Sequence, residues 1–193
     1  KKPNSLAINF KEDKSNIFIK NLEIASHVVN DIFNDSNFPD LNGDLLINCL
    51  ESFKMPPGRG EIFSLNKFKI IDDSYNANPE SVKAALDHLS GFQECRKFFV
   101  FGDMKELGAD EEILHKKVGQ YAVGKTDILL TVGKLAKNAQ SNSNNFALSL
   151  HFNDNFSLLE KLNELLTDGD IVLIKGSRSM QLDQLINELK NVK

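Results

Sequence analysis

Asp72-Asp73-Ser74-Tyr75-Asn76-Ala77-Asn78-Pro79 places two carboxylates, a phenol and two amides in one short stretch. A carboxylate accepts hydrogen bonds from hydroxyls, as the acidic residue of dinucleotide folds does from a ribose, and amides both donate and accept. The stretch follows an apolar run, Phe68 to Ile71, and leads into Val82, Ala85, Leu86 and Leu89. Those four recur with the period of a half-buried helix. Asn78 suits an N-cap, and Pro79 suits the first turn, where a missing N–H costs nothing. The sequence therefore predicts strand, polar turn, helix. Such a turn displays its side chains at the C-terminal end of a strand, where open α/β sheets bind ligands. A turn that only caps would also use Asp and Asn, and Asp72 and Asn78 suit that lesser role. Two aspartates, a tyrosine and two asparagines exceed what capping requires.

Three further segments carry groups fit for chemistry: Pro56-Pro57-Gly58-Arg59-Gly60-Glu61, Gly102-Asp103-Met104-Lys105-Glu106-Leu107-Gly108 and Lys175-Gly176-Ser177-Arg178-Ser179. Arg59 is permanently charged and offers several donors, which suits phosphate groups. Asp103 should end a strand and face a loop, with Gly102 and Gly108 allowing tight turns. Lys175 and Arg178 flank Gly176-Ser177; two cations there could bind a substrate carboxylate, with Ser177 adding a hydrogen bond. His115 lies beside Leu114 within an apolar helical stripe, so it reads as a packed or capping histidine. His27, His88 and His151 have no motif around them. No Ser–His–Asp arrangement and no zinc-ligand spacing is present, and the chain contains no Gly-x-x-x-x-Gly-Lys-Ser/Thr phosphate loop.

The elements that must position these groups alternate. Strands are expected at Lys67 to Ile71, Lys97 to Phe101, Ile128 to Val132, Leu148 to Phe152 and Ile171 to Ile174. Helical stripes follow at Ile113/Leu114/Val118/Tyr121/Ala122, Leu158/Leu159/Leu162/Leu165/Leu166 and Leu182/Leu185/Ile186/Leu189, with a short helix near Leu135 to Ala139. Asn138 to Asn145 reads as a polar surface loop. Repeated β–α units imply an α/β, Rossmann-like, mainly parallel open sheet with helices on both faces. Upstream, Leu6 to Phe10 and Ile17 to Ile19 suit short strands, and Ile24/Val28/Ile32/Phe33 and Leu45/Leu46/Cys49/Leu50/Phe53 suit two helices. Pro56-Pro57-Gly58 is the natural boundary, giving a small, mostly helical unit over residues 1–57 and an α/β domain over residues 58–193.

Composition narrows the class. The 193 residues suffice for one good core and a smaller unit. A net charge of −4 with interspersed signs gives no electrostatic case for nucleic acid or a membrane surface. No apolar run reaches the ~18 residues of a membrane span, and no signal peptide is visible. Cys49 and Cys95 stand apart without CxxC spacing, as reduced core thiols would, and a cytoplasmic setting fits.

The four segments, in this order and spacing, resemble the Mur ligases of peptidoglycan synthesis. In that family Pro-Gly-Arg is followed by a strand, by Asp-Asp-Ser-Tyr-Asn-Ala-Asn, by Gly-Asp-Met-x-Glu-Leu-Gly with a histidine seven residues on (here His115), and by Lys-Gly-Ser-Arg. The likeness runs from about Met55 to Leu189. The wording is nearest to members that add D-alanyl-D-alanine to UDP-N-acetylmuramoyl-tripeptide. What the resemblance implies is ATP-dependent amide-bond formation through an acyl phosphate, a cytoplasmic enzyme and a monomer. It implies ATP contacts from Arg59 and Asp73, and from Asn21 in a helix that would end the central ATP-binding domain, of which residues 1–57 would be the remnant. It implies substrate contacts from Asn76, Asn78, Asp103, Lys175, Ser177 and Arg178, with catalysis by positioning rather than by a catalytic side chain. The phosphate loop and the Mg2+ ligands would lie upstream, making this chain a C-terminal fragment inactive by itself. Another Mur ligase, a folylpolyglutamate-type ligase and a non-catalytic α/β binding module remain the alternatives.

Overall fold

The computed structural model describes residues 56–66 and 68–191, together with Ile24, Ala25, His27 and Val28. The chain divides into two compact units, Lys1–Met55 and Pro56–Lys193. In the first unit the four described residues are helical, as the Ile24/Val28 spacing predicts. The upstream strands, the second helix and Asn21 lie outside the described residues.

The second unit is one six-stranded sheet in the order β1-β2-β6-β3-β4-β5. Its strands are β1 (Glu61–Leu65), β2 (Phe68–Asp73), β3 (Lys97–Gly102), β4 (Ile128–Val132), β5 (Leu148–Phe152) and β6 (Ile171–Lys175). β1 pairs antiparallel with β2, and every other pairing is parallel. The helices are α1 (Pro79–Ser90), α2 (Glu111–Ala122), α3 (Asn155–Leu165) and α4 (Leu182–Asn191). Among the described residues no helix is long and apolar enough to cross a membrane.

Successive strand side chains point to opposite faces, and this sheet is covered on both. Phe99, Phe101, Leu129 and Leu173 meet Val82, Leu86 and Leu89 of α1 and Val118 and Ala122 of α2. Phe98, Val100, Leu130, Val172 and Ile174 meet Leu158 and Leu162 of α3 and Leu182, Leu185, Ile186 and Leu189 of α4. Central strands buried on both faces read as continuous apolar runs, which is why Lys97–Gly102 and Ile171–Lys175 are plain in the sequence.

Two features differ from the sequence reading. β1 was not expected. It is an edge strand whose Ile62 packs toward one face and Phe63 and Leu65 toward the other, so it shows no apolar–polar alternation. Its turn places Asn66 at a φ of +53°, a conformation asparagine tolerates. The second difference is Ala136–Asn145, expected as a short helix running into a surface loop. It is wound in 3-10 turns with a kink at Asn142, and Ala136 and Ala139 are fully buried. Gly119 of α2 makes this approach possible, because a β-carbon there would lie 2.0 Å from the Ala139 carbonyl oxygen.

Candidate active site

Because β2, β6, β3 and β4 are parallel, the loops after them gather at one end of the sheet. β6 and β3 are neighbours, yet the helix after β3 covers one face and the helix after β6 covers the other. Loops that diverge in this way leave a crevice, the topological switch point at which open α/β sheets bind ligands. A cleft of about 330 Å³ lies here, lined by Tyr75 and Asn76 after β2, Lys105 and Glu106 after β3, and Ser177, Arg178 and Ser179 after β6.

The β2 loop is shaped by its own polar groups. Asp72 is buried and its Oδ1 accepts from the Ser74 amide and hydroxyl. Asn78 caps α1 by a reciprocal box, its Oδ1 accepting from Ser81 N while its own N–H donates to Ser81 Oγ. Asn76 turns its Oδ1 onto the Ala77 amide. Asp73 stands at the strand end with its Oδ2 accepting from Lys175 Nζ at 2.6 Å. Burial pushes the Asp73 carboxyl above its ordinary range, and Lys175 offsets part of that rise.

Gly58 belongs to the same corner. Its φ of +76° and its 2.9 Å hydrogen bond from Tyr75 N to its carbonyl oxygen lay the Pro57–Gly60 loop against the β2 loop. Arg59 consequently stacks on the Tyr75 ring, 4.1 Å from its centroid. The ring face attracts the cation and steadies the guanidinium at this corner.

The β3 loop is fastened at three consecutive residues. Asp103 Oδ1 accepts from the Leu135 and Ala136 amides, Asp103 Oδ2 pairs with Lys105 Nζ, and the Asp103 carbonyl accepts from Ser177 N. Met104 donates its N–H to His115 Nε2 at 2.8 Å. Lys105 donates its N–H to Ser177 Oγ at 2.8 Å. The next residue, Glu106, sits at a φ of +63°. That conformation costs a non-glycine residue about 1–2 kcal/mol, and strain of this kind collects at functional sites.

These contacts occupy three of the expected site residues. Lys175 is 1% exposed, and its ammonium serves Asp73 and the Asn76 carbonyl. Asp103 is equally committed, a buried bracket between the β3 and β4 loops. Ser177 is a tie between the β3 and β6 loops, its N–H donating to the Asp103 carbonyl and its Oγ accepting from the Lys105 N–H. Arg178 remains outward, 64% exposed at the side chain and held from behind by Asp183 of α4 at 2.8 Å. Tyr75, Lys105, Glu106 and Ser179 line the cleft without having been singled out. All four lie inside the quoted segments, but only the loop geometry brings them forward.

His115 is wholly buried and packed near Phe101, as the helical stripe predicts. Because a backbone N–H can only donate, Nε2 is the acceptor and Nδ1 carries the proton, which it gives to the Glu111 carbonyl at 2.6 Å. Burial lowers the His115 pKa. Among the described residues no group of three or more His, Cys, Asp or Glu could hold a metal ion.

The family described as Mur ligase, glutamate ligase domain, matches residues 58–178. The chain belongs to that family. It is 38% identical over 128 residues to the UDP-N-acetylmuramoyl-tripeptide–D-alanyl-D-alanine ligase of Bacillus subtilis, covering 62% of this chain and 27% of that protein. It is 31% identical over 140 residues to the enzyme of the same name from Rickettsia prowazekii, covering 72% of this chain and 31% of that one. Among solved structures, the MurF ligase of Thermotoga maritima in complex with ADP superposes with a TM-score of 0.71 at 25% identity, covering 88% of this chain and 37% of that one. The chain thus spans about three tenths of the length of the curated relatives it matches.

Proposed function

We propose that this chain forms part of an ATP-dependent ligase that adds D-alanyl-D-alanine to UDP-N-acetylmuramoyl-tripeptide in peptidoglycan precursor synthesis. In this reading residues 58–193 are the domain that receives the amine substrate, and residues 1–57, with Asn21 near the adenine, belong to the ATP-binding domain. ATP supplies the phosphoryl group that turns the tripeptide carboxylate into an acyl phosphate. The dipeptide amine then attacks that carbonyl, phosphate leaves and the amine loses a proton. A ligase gains chiefly by holding these partners together and keeping water from the acyl phosphate. The cleft between the diverging β3 and β6 loops is the observation that carries the reading.

Each residue then has a task. Asp73 keeps its Oδ1 for a ribose hydroxyl while Lys175 fixes Oδ2. Arg59, braced on Tyr75, faces phosphate. Across the cleft Glu106 offers an acceptor to the dipeptide ammonium, and Arg178, steadied by Asp183, takes the dipeptide carboxylate with Ser177 as a further donor. Asn76 lines the same wall, whereas Asn78 serves the cap.

The test compares D-alanyl-D-alanine with its C-terminal amide in the full-length protein and in Arg178→Ala. The wild type should prefer the acid, and the variant should lose that preference at a cost of about 2–5 kcal/mol. Arg178→Lys should rescue only in part, because an ammonium cannot make the forked contact. An unchanged acid-to-amide ratio would move the carboxylate elsewhere.

A further inference from the structure

We propose that His115 is a positioning residue: by accepting the Met104 amide on Nε2 it sets the angle at which Lys105 and Glu106 enter the cleft. The inference rests on the cleft being the amine-substrate site.

The geometry is specific. Met104 is fully buried, so its N–H has no water to turn to, and its acceptor is His115, eleven positions away on α2. The residues on either side are pinned by other means, Asp103 by the Leu135 and Ala136 amides and Lys105 by Ser177 Oγ. The His115 bond is therefore the middle of three fastenings, and the one that couples the loop to α2. Beyond the third fastening the chain departs at Glu106 in the left-handed region. A small rotation at Met104 would swing Glu106 relative to Arg178 on the opposite wall.

The fastening is also the one whose acceptor carries a titratable ring. An imidazolium is a donor at both nitrogens, so a protonated His115 would face the Met104 N–H with another N–H. The charged groups acting on the ring are Asp103 and Lys105 of the loop and Glu111 of its own helix. Asp103 and Glu111 favour the cation, Lys105 opposes it, and burial against Phe101 and the core outweighs them in favour of the neutral ring. The clamp thus holds at neutral pH and opens on the acid side.

Two variants separate positioning from bulk packing. His115→Gln keeps an acceptor of similar reach and cannot titrate; His115→Phe keeps a ring and removes the acceptor. In the chain itself, ring 15N shifts should show the Nδ1–H form, and the Met104 amide should exchange slowly in wild type and Gln and fast in Phe. In the full-length protein, Phe should raise the Michaelis constant for D-alanyl-D-alanine roughly tenfold while leaving that for ATP within about twofold. Gln should restore most of this near neutral pH. Dividing wild-type by Gln values as pH falls below 6.5 cancels the ionisation of the amine itself and should leave an acid limb belonging to His115. An Nε2–H ring, a Met104 amide indifferent to the variants, equal effects on both substrates, or a flat ratio would each overturn the proposal. Wild-type protein that binds no dipeptide would instead overturn the function reading, and the ring and amide measurements would still decide the clamp.

Discussion

Lys175 Nζ donates to Asp73 Oδ2 at 2.6 Å, and the two residues, 102 positions apart in sequence, are direct partners in the register of β6 and β2. The pair turns what look like an anion site and a cation site into one device at the strand ends. Lys175 holds the carboxylate by one oxygen and the Asn76 carbonyl by the same ammonium.

Removing one partner should therefore cost stability before it costs binding. Lys175→Met leaves a largely buried carboxylate without its cation, and breaking such a pair typically costs about 3–5 kcal/mol; the part-exposed Asp73 argues for the lower end. Adding Asp73→Asn should recover a good part of the loss. Urea unfolding of the single and double variants gives the coupling directly. A loss below about 1 kcal/mol for Lys175→Met would show that water replaces the ammonium.

Asp103→Ala should loosen the β4 loop rather than abolish a catalytic group. It strips the acceptor from the Leu135 and Ala136 amides and the partner from Lys105. Leaving buried donors unmet should cost about 1–3 kcal/mol. Amide exchange at Leu135 and Ala136 should accelerate well beyond any change in β1, the edge strand that β2 and β6 separate from β3. Equal acceleration everywhere would mean only global destabilisation.

Gly119→Ala should be among the costliest single-methyl changes in the domain. The added carbon would sit 2.0 Å from the Ala139 carbonyl oxygen, so backbone must move. Overpacking of this kind costs about 1–3 kcal/mol, occasionally more. Gly124→Ala is the control: its φ is +76° but its surroundings are open, so conformational strain acts alone, about 1–2 kcal/mol. A thermal unfolding shift for Gly124→Ala as large as that for Gly119→Ala would contradict the close approach.

Acid should weaken the fold through buried His115 and half-buried His151. Burial lowers the His115 pKa below the ordinary 6.5, so the unfolded chain takes a proton that the folded domain refuses. The unfolded state then binds more protons in the interval below 6.5, and stability falls as pH falls through it, levelling once the folded ring also protonates. His151 is lowered in the same direction by burial and adds to the slope. Unfolding free energy against pH should be less steep in His115→Gln, which removes one contribution and keeps the other. Parallel curves would show that His115 does not carry the dependence.

The sequence by itself determined the order of strands and helices from β2 onward, the doubly covered sheet and the four polar segments. Local chemistry suffices for these: Asn78 and Ser81 cap α1 whatever lies beyond them, and the runs in β3, β4 and β6 are apolar because both faces are covered. His115 was legible as a packed residue for the same reason, since its neighbours at helical spacing are apolar. The tertiary structure alone decided how the polar groups divide their work. Lys175 and Asp103 look available in a string of letters, and are consumed by partners that strand register and loop packing bring from far along the chain. Glu106 gives no sign in sequence of its exposed position at a positive φ, directly after three fastened residues. The winding of Ala136–Asn145 was hidden too, since it depends on the absence of a side chain at Gly119. Pairings across long sequence separations are set by topology, and composition around a residue does not reveal which donor will find which acceptor.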